Sequence, residues 1–309
     1  MNNLQGIRVA FFGTPDFALE TLKKSKEYLA EVSFVVTQPS KRSGRGQKKK
    51  FSMVYEWAIK NKIKVYTPIK IDKNFFAKVI KKYTLDFIIV VAYGQIINED
   101  ILKYPKFMCL NVHASLLPKW RGAAPIQRAI LNGDVKTGVS IMRVEKKLDS
   151  GPILNVSELK IEKKDNSGVL HDNLGKLGSD LLIKTIFLII KNKHDFLFQK
   201  DDEATYAKKI EKTETRINWN NNAEHIDRCV KAFSPWPGAW TTIKGKENIR
   251  LKILDCELIQ NYKCLINAIG FCDNNLVVKC GKSFLKIKKI QKEGKKTMGS
   301  KEFLNGYKI

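Results

Sequence analysis

The sequence predicts an α/β fold: a Rossmann-like, mostly parallel sheet with helices on both faces, followed by a C-terminal, OB-like β-barrel. Three observations carry this. Short, nearly continuous apolar runs alternate with helix-length amphipathic segments up to residue 191, the signature of βαβ units. A polar stretch from Asn192 to Lys209, with His194, Gln199, Asp201, Asp202 and Glu203, then interrupts the pattern and reads as a linker. Beyond it, short strand-like runs at close spacing, separated by Gly, Asn and Lys turns, suggest a small barrel. The expected organisation is an α/β domain over 1–191, a linker over 192–209 and a β-barrel domain over 210–309.

Ile7-Phe12 is a short apolar strand ended by Gly13-Thr14-Pro15. Asp16 can cap a helix to about Tyr28, with Phe17, Leu19 and Leu22 among its apolar positions. Val32-Thr37 is a second strand, followed by a Lys- and Gly-rich loop; Phe51-Asn61 and Asn74-Tyr83 read as helices. Leu85-Ala92 is almost continuously apolar, as expected of a strand covered on both faces. Phe107-Val112 is another strand and Ala123-Leu131 a helix. Val139-Val144 and Ile153-Leu159 form a strand pair flanking a turn at Asp149, and a long helix from Ser167 to Lys191 completes the unit. After a helix at Ala223-Phe233, strands are expected at Trp240-Ile243, Ile249-Leu254, Leu276-Lys279 and Phe284-Ile290.

Composition narrows the function classes. A chain of 309 residues, 43% of them hydrophobic, can bury two separate cores. Its longest apolar run, Leu181-Ile190, contains Lys184 and is half of what a membrane span needs. Ile7-Phe12 is too short for a signal core. The expectation is a soluble, cytoplasmic protein with no membrane association. None of the six cysteines forms a CxxC pair; Cys256, Cys264, Cys272 and Cys280 recur every eight residues, but zinc sites normally use close pairs, so no metal is expected. The net charge of +25 is large, and is overwhelmingly Lys. Much of it is scattered over solvated helix faces, but two clusters stand apart. Lys41, Arg42, Arg45, Lys48, Lys49 and Lys50 contain no acid among them, and residues 279–296 hold eight Lys against Glu293 alone. Such clusters are the footprint of a polyanionic partner, nucleic acid above all. Gly13-Thr14-Pro15-Asp16 is not GxGxxG, and no GxxxxGK[ST] loop is present, so nicotinamide and ATP chemistry lose ground.

The most informative run is Asn111-Val112-His113-Ala114-Ser115-Leu116-Leu117-Pro118, with Leu148-Asp149-Ser150-Gly151 downstream. Polar groups appear abruptly where an apolar strand ends, and ligands of open α/β sheets collect outside the carboxyl ends of the strands. Asn111 and His113 are two apart, so an extended strand projects both to one side. Asp149, from a separate turn, can orient the imidazole or pair with its charged form. Donors aimed at developing negative charge contribute about 3–4 kcal/mol each to an acyl-transfer barrier. No Ser or Cys sits in a nucleophile elbow, which favours direct transfer to an acceptor amine.

From Asn111 to Gln127 the chain (NVHASLLPKWRGAAPIQ) resembles the signature of the folate-dependent formyltransferases. Phe12-Gly-Thr-Pro-Asp-Phe17, Val91-Ala-Tyr-Gly94, Leu148-Asp-Ser-Gly151 and Phe233-Ser-Pro-Trp-Pro-Gly238 match in order, so the likeness spans nearly the whole chain. The resemblance implies that Asn111, His113 and Asp149 are the catalytic trio, and that Ser115, Leu116, Leu117 and Pro118 lie against the folate. It implies transfer of the formyl group of 10-formyltetrahydrofolate to the α-amino group of methionine on initiator methionyl-tRNA, by a monomer. The loop carrying Lys41, Arg42, Arg45, Lys48, Lys49 and Lys50 would enter the acceptor stem, and the basic barrel would track tRNA phosphates. Two positions depart from the pattern. Ala114 stands where many relatives carry Gly, and Lys41-Arg42 where relatives commonly show Arg then Pro; neither touches the trio. Two rivals remain: a formyltransferase acting on a small amine, such as a nucleotide sugar or glycinamide ribonucleotide, and a non-enzymatic RNA-binding protein. The first leaves the two basic clusters without a purpose, the second the trio.

Overall fold

A computed structural model describes residues 4, 6–43, 48–243, 249–260, 262, 271–272, 276–281 and 283–306. In chain order it contains β1 (Arg8–Gly13), α1 (Phe17–Tyr28), β2 (Glu31–Val36), β3 (Lys41–Ser43), β4 (Lys48–Lys50), α2 (Met53–Lys60), β5 (Val65–Tyr66) and α3 (Lys73–Lys78). A 3-10 turn (Ile80–Lys82) leads to β6 (Phe87–Val91), α4 (Glu99–Leu102), β7 (Met108–His113), β8 (Arg121–Gly122), α5 (Pro125–Asn132), β9 (Lys136–Arg143) and β10 (Ile153–Lys160). Then follow α6 (Ser167–Ile190), β11 (Tyr206–Ala207), α7 (Ala223–Phe233), β12 (Ala239–Ile243), β13 (Ile249–Ile259), β14 (Phe271–Cys272), β15 (Val277–Cys280), β16 (Ser283–Lys292), β17 (Thr297–Gly299) and α8 (Ser300–Gly306).

The chain forms two compact units. The first comprises Met1–Pro125, Lys136–Lys160 and His171–Ala207; the second comprises Ile126–Val135, Ile161–Leu170 and Lys208–Ile309. The second unit therefore recruits two short pieces from inside the region expected to form the α/β domain. Up to Ala207, the stretch expected as a linker belongs to the first unit. Leu197 bridges to Ile153, and Tyr206 and Ala207 pair in parallel with Arg121 and Gly122.

The first unit is built on a seven-stranded sheet in the order β10-β9-β7-β6-β1-β2-β5. The five strands from β7 to β5 run parallel, whereas β9 and β10 are antiparallel to their neighbours. All of β6 and all but the first residue of β1 are buried, which requires cover on both faces. α1 packs over β1, β2 and β6. Phe12, Phe34, Ile88, Val90 and Tyr93 lie in one core cluster, with Phe12 meeting Tyr93 edge-on at 5.5 Å between ring centroids. The chain leaves β1 toward β2 on one side and later returns to β6 on the other. The carboxyl ends of β1 and β6 are therefore a switch point, where such sheets open a crevice.

Local chemistry sets the element ends. Ser52 accepts from the Tyr55 amide and caps α2, which begins two residues later than expected. The helix expected through Tyr83 stops at Lys78 and tightens into the 3-10 turn. β7 runs one residue further than expected, to His113, because its ladder with β9 continues through His113 and Ser140.

In the second unit, α7 buries Ala223, Ile226, Val230 and Phe233, one face of a helix, and packs on β13. The sheet there is antiparallel, ordered β12-β13-β16-β15-β14 with β17 on β16, and forms a half-barrel. Among the described residues no pairing of β12 with β14 closes it.

Candidate active site

β7 delivers two of the three expected site residues. Asn111 is opposite Met142, and His113 is opposite Ser140, so the alternation of a strand sends both side chains to the same face. His113 is 6% exposed. The third residue, Asp149, arrives from the turn between β9 and β10 and adopts φ +47, a left-handed conformation that Asp tolerates better than most residues.

The three meet at the Asp149 carboxylate. Asn111 Nδ2 donates to Oδ1 at 3.2 Å, and the Gly122 backbone N–H donates to Oδ2 at 2.9 Å. His113 Nδ1 lies 3.7 Å from Oδ2. On the far side of the ring, His113 Nε2 is 2.9 Å from the Trp120 carbonyl; a carbonyl only accepts, so Nε2 carries a hydrogen. The ring is thus held between the Trp120 carbonyl on one side and the Asp149 carboxylate on the other. One N–H of the Asn111 amide is spent on Asp149, which leaves the other to point at a ligand. This arrangement can stabilise an oxyanion and hold a proton beside it, which is the machinery of acyl transfer without a covalent intermediate.

Gly122 is a glycine for two reasons: its φ is +118, and a Cβ there would sit 2.9 Å from the Ala207 carbonyl oxygen. The pairing of β8 with β11 thus depends on it, and with that pairing the N–H that binds Asp149.

The run after His113 is pinned to β9. Ser140 Oγ donates to the Ser115 carbonyl and accepts from the Leu117 amide, while Ser115 Oγ donates to the Lys119 carbonyl. Ser115 is fully buried and Leu117 packs against Met142 and Ile153; Leu116 and Pro118 remain half-exposed. Of the four expected folate contacts, two offer surface and two shape the turn beneath it.

The basic cluster forms a two-stranded ribbon, with Lys41 opposite Lys50 and Arg42 opposite Lys49. Lys49 and Lys50 are exposed, the backbones of Lys41, Arg42 and Lys48 are in strands, and Arg45 lies outside the described residues. Cys109, Cys229, Cys256 and Cys280 are free thiols; burial raises their pKa values, Cys229 to about 11 and Cys280 to about 12, which keeps them unreactive. Cys264 lies outside the described residues. Among the described residues no group of three or more His, Cys, Asp or Glu side chains could hold a metal, and no helix is long and apolar enough to cross a membrane.

Sequence reasoning did not single out Trp120, Arg121, Gly122, Ser140 or Gln199. Arg121 carried a signal: in a chain that uses Lys almost everywhere, a single Arg inside the longest motif marks a place where the planar fork matters.

Residues 7–186 match the family model described as formyl transferase, and residues 209–308 match that of the formyl transferase C-terminal domain. A methionyl-tRNA formyltransferase of Caldanaerobacter subterraneus subsp. tengcongensis is 41% identical over 305 residues, 98% of each chain. One of Sulfurihydrogenibium sp. is 42% identical over 307 residues, again 98% of each. Among solved structures, the sugar 3N-formyl transferase WlaRD, crystallised in the presence of dTDP and 5-N-formyl-THF, aligns with a TM-score of 0.68 at 22% identity, over 94% of this chain and 99% of that one. HypX from Aquifex aeolicus, in complex with tetrahydrofolic acid, aligns with a TM-score of 0.65 at 14% identity, over 97% of this chain and 47% of that one. These two show a shared fold.

Proposed function

The chain belongs to the formyl transferase family, and on that premise we propose that it moves the formyl group of 10-formyltetrahydrofolate to the α-amino group of methionine on initiator methionyl-tRNA. The observation that carries this reading is likeness at about 40% identity, end to end, to relatives named for that activity. Convergence of Asn111, His113 and Asp149 on one carboxylate gives the reading its chemistry.

The neutral amine attacks the formyl carbon; a C–N bond forms and the formyl oxygen becomes an oxyanion. Asn111 donates its remaining N–H to that oxygen, and the His113 ring, beside Asp149, helps to stabilise the growing charge. The bond from the formyl carbon to N10 then breaks. The proton lost by the attacking amine ends on N10, relayed by His113 and Asp149. Leu116 and Pro118 supply surface to the folate, while Ser115 and Leu117 hold the turn that presents them. The donor is a co-substrate, and no metal is invoked.

Catalysis belongs to the first unit. The β3-β4 ribbon reaches the acceptor stem with Lys41, Arg42, Arg45, Lys48, Lys49 and Lys50, and β16, with Lys286, Lys288, Lys289 and Lys292, tracks phosphates. The enzyme works as a cytoplasmic monomer. A small-amine acceptor draws support only from fold likeness to sugar formyltransferases and leaves both basic surfaces idle. The test is incubation with 10-formyltetrahydrofolate and methionyl initiator tRNA. Formylmethionyl-tRNA is the expected product; formyl transfer to a nucleotide sugar, with none to tRNA, overturns the assignment.

A further inference from the structure

Asp149 holds a left-handed backbone, and something must keep it there. Gln199, which follows α6, uses its whole carboxamide for that purpose. Its Nε2 donates to the Asp149 carbonyl at 3.0 Å and to the Gly151 carbonyl at 2.7 Å, so both hydrogens clamp the turn that carries the carboxylate. Its Oε1 accepts from Arg121 Nε at 3.0 Å, which fixes which end of the amide faces the turn. The Arg121 side chain is completely buried, and its Nη1 donates to Asp201 at 2.7 Å. Arg121 lies between Trp120, whose carbonyl meets His113 Nε2, and Gly122, whose N–H meets Asp149 Oδ2. One connected network therefore grips Asp149 by its backbone and by its carboxylate, and grips the imidazole from its far side.

We propose that Gln199 is a positioning residue for formyl transfer, oriented by Arg121, which holds the Asp149 carboxylate against Asn111 and His113. This rests on the formyl-transfer reading above. Without the two Gln199 donors, the 149–151 turn relaxes from its left-handed state and swings the carboxylate away from the other two groups. A misplacement of about 1 Å costs on the order of 10²-fold in rate.

The test compares wild type with Gln199→Met, which keeps length but loses every polar contact, and Gln199→Glu, which keeps the acceptor for Arg121 but loses both donors. Gln199 is only half-buried, so both variants should fold; if the Met variant does not, the Glu variant carries the test. Two quantities are read: steady-state kinetics with 10-formyltetrahydrofolate and methionyl initiator tRNA, and the ring-nitrogen NMR resonances of His113. The expected result is a fall in kcat of about 10²-fold, KM for each substrate within about twofold of wild type, and shifted His113 ring resonances. Unchanged kcat overturns the proposal, and so does a fall in kcat with the His113 resonances unmoved. If wild type transfers no formyl group while the variants still shift those resonances, the functional reading fails and the clamp on Asp149 stands.

Discussion

At the scale of single residues, each member of the trio answers to a different physical demand. In the proposed mechanism Asn111 is the neutral donor for developing charge, and a donor of this kind is typically worth about 10²–10³ in kcat. Asn111→Ala is therefore expected to lower kcat by that factor with little change in KM, measured as formylation of methionyl-tRNA. His113→Ala is expected to cost about 10²–10⁴, since it removes the proposed proton-transfer group. Near-normal turnover in that variant at neutral pH would reject the mechanism. These residues were legible because a polar side chain at the end of an apolar strand is conspicuous, and because Asn111 and His113 are spaced for one strand face. Gln199 was not legible. In one dimension it is a polar residue in a polar stretch; its two donors gain meaning only when the fold sets the Asp149 and Gly151 carbonyls before them.

At the scale of elements, helix caps and strand alternation located the longer strands and helices of the first unit, most with ends displaced by one to three residues and α3 ending five residues short of Tyr83. A contact that no local pattern announced joins α1 to α6. His171 Nε2 lies 3.2 Å from Asp16 Oδ1, His171 Nδ1 lies 3.0 Å from Asp172, and the ring meets Phe17 edge-on at 5.4 Å. The hydrogen bond to Asp16 raises the His171 pKa above its ordinary 6.5, against the opposing effect of burial, and the bond from His171 lowers Asp16 below its ordinary 3.8. The signs define a window. The His171 contribution is complete below pH 6.5 and fades as pH rises through its raised value; that of Asp16 is present above pH 3.8 and lost below it. The Tm difference between wild type and Asp16→Asn, which keeps a capping side chain, should be largest near pH 5–6 and shrink at alkaline pH. A difference that stays constant up to about pH 9 would refute the ion pair as its source. Asp16 is 61% exposed on its side chain, so solvent screening keeps the effect small.

At the scale of the molecule, the +25 net charge is the dominant property. Bound polyanion releases condensed counterions, so tRNA affinity should fall linearly on a log–log plot against salt. Replacing Lys49 and Lys50 with Glu should weaken binding and flatten that slope by about 0.7–0.9 for each phosphate that is no longer neutralised. Filter binding at several salt concentrations reads both numbers. An unchanged slope would remove the β3-β4 ribbon from the interface. The division into units also belongs to this scale. The segments 126–135 and 161–170 lie early in the sequence yet join the C-terminal unit, and the stretch from 192 to 207 completes the first unit.

The sequence by itself determined the α/β character, the strand that presents Asn111 and His113, the family likeness and the charge, because hydrophobic period and residue type are local quantities. Only the tertiary structure decided how Asp149 reaches that strand. Its carboxylate is placed by the Gly122 N–H and its backbone by Gln199, and Gln199 is in turn oriented by a buried Arg121. Each of those contacts spans between 27 and 78 residues of chain. Contacts of that range leave no local pattern to read; they exist only once β8 pairs with β11 and the polar segment after α6 folds back along the first unit.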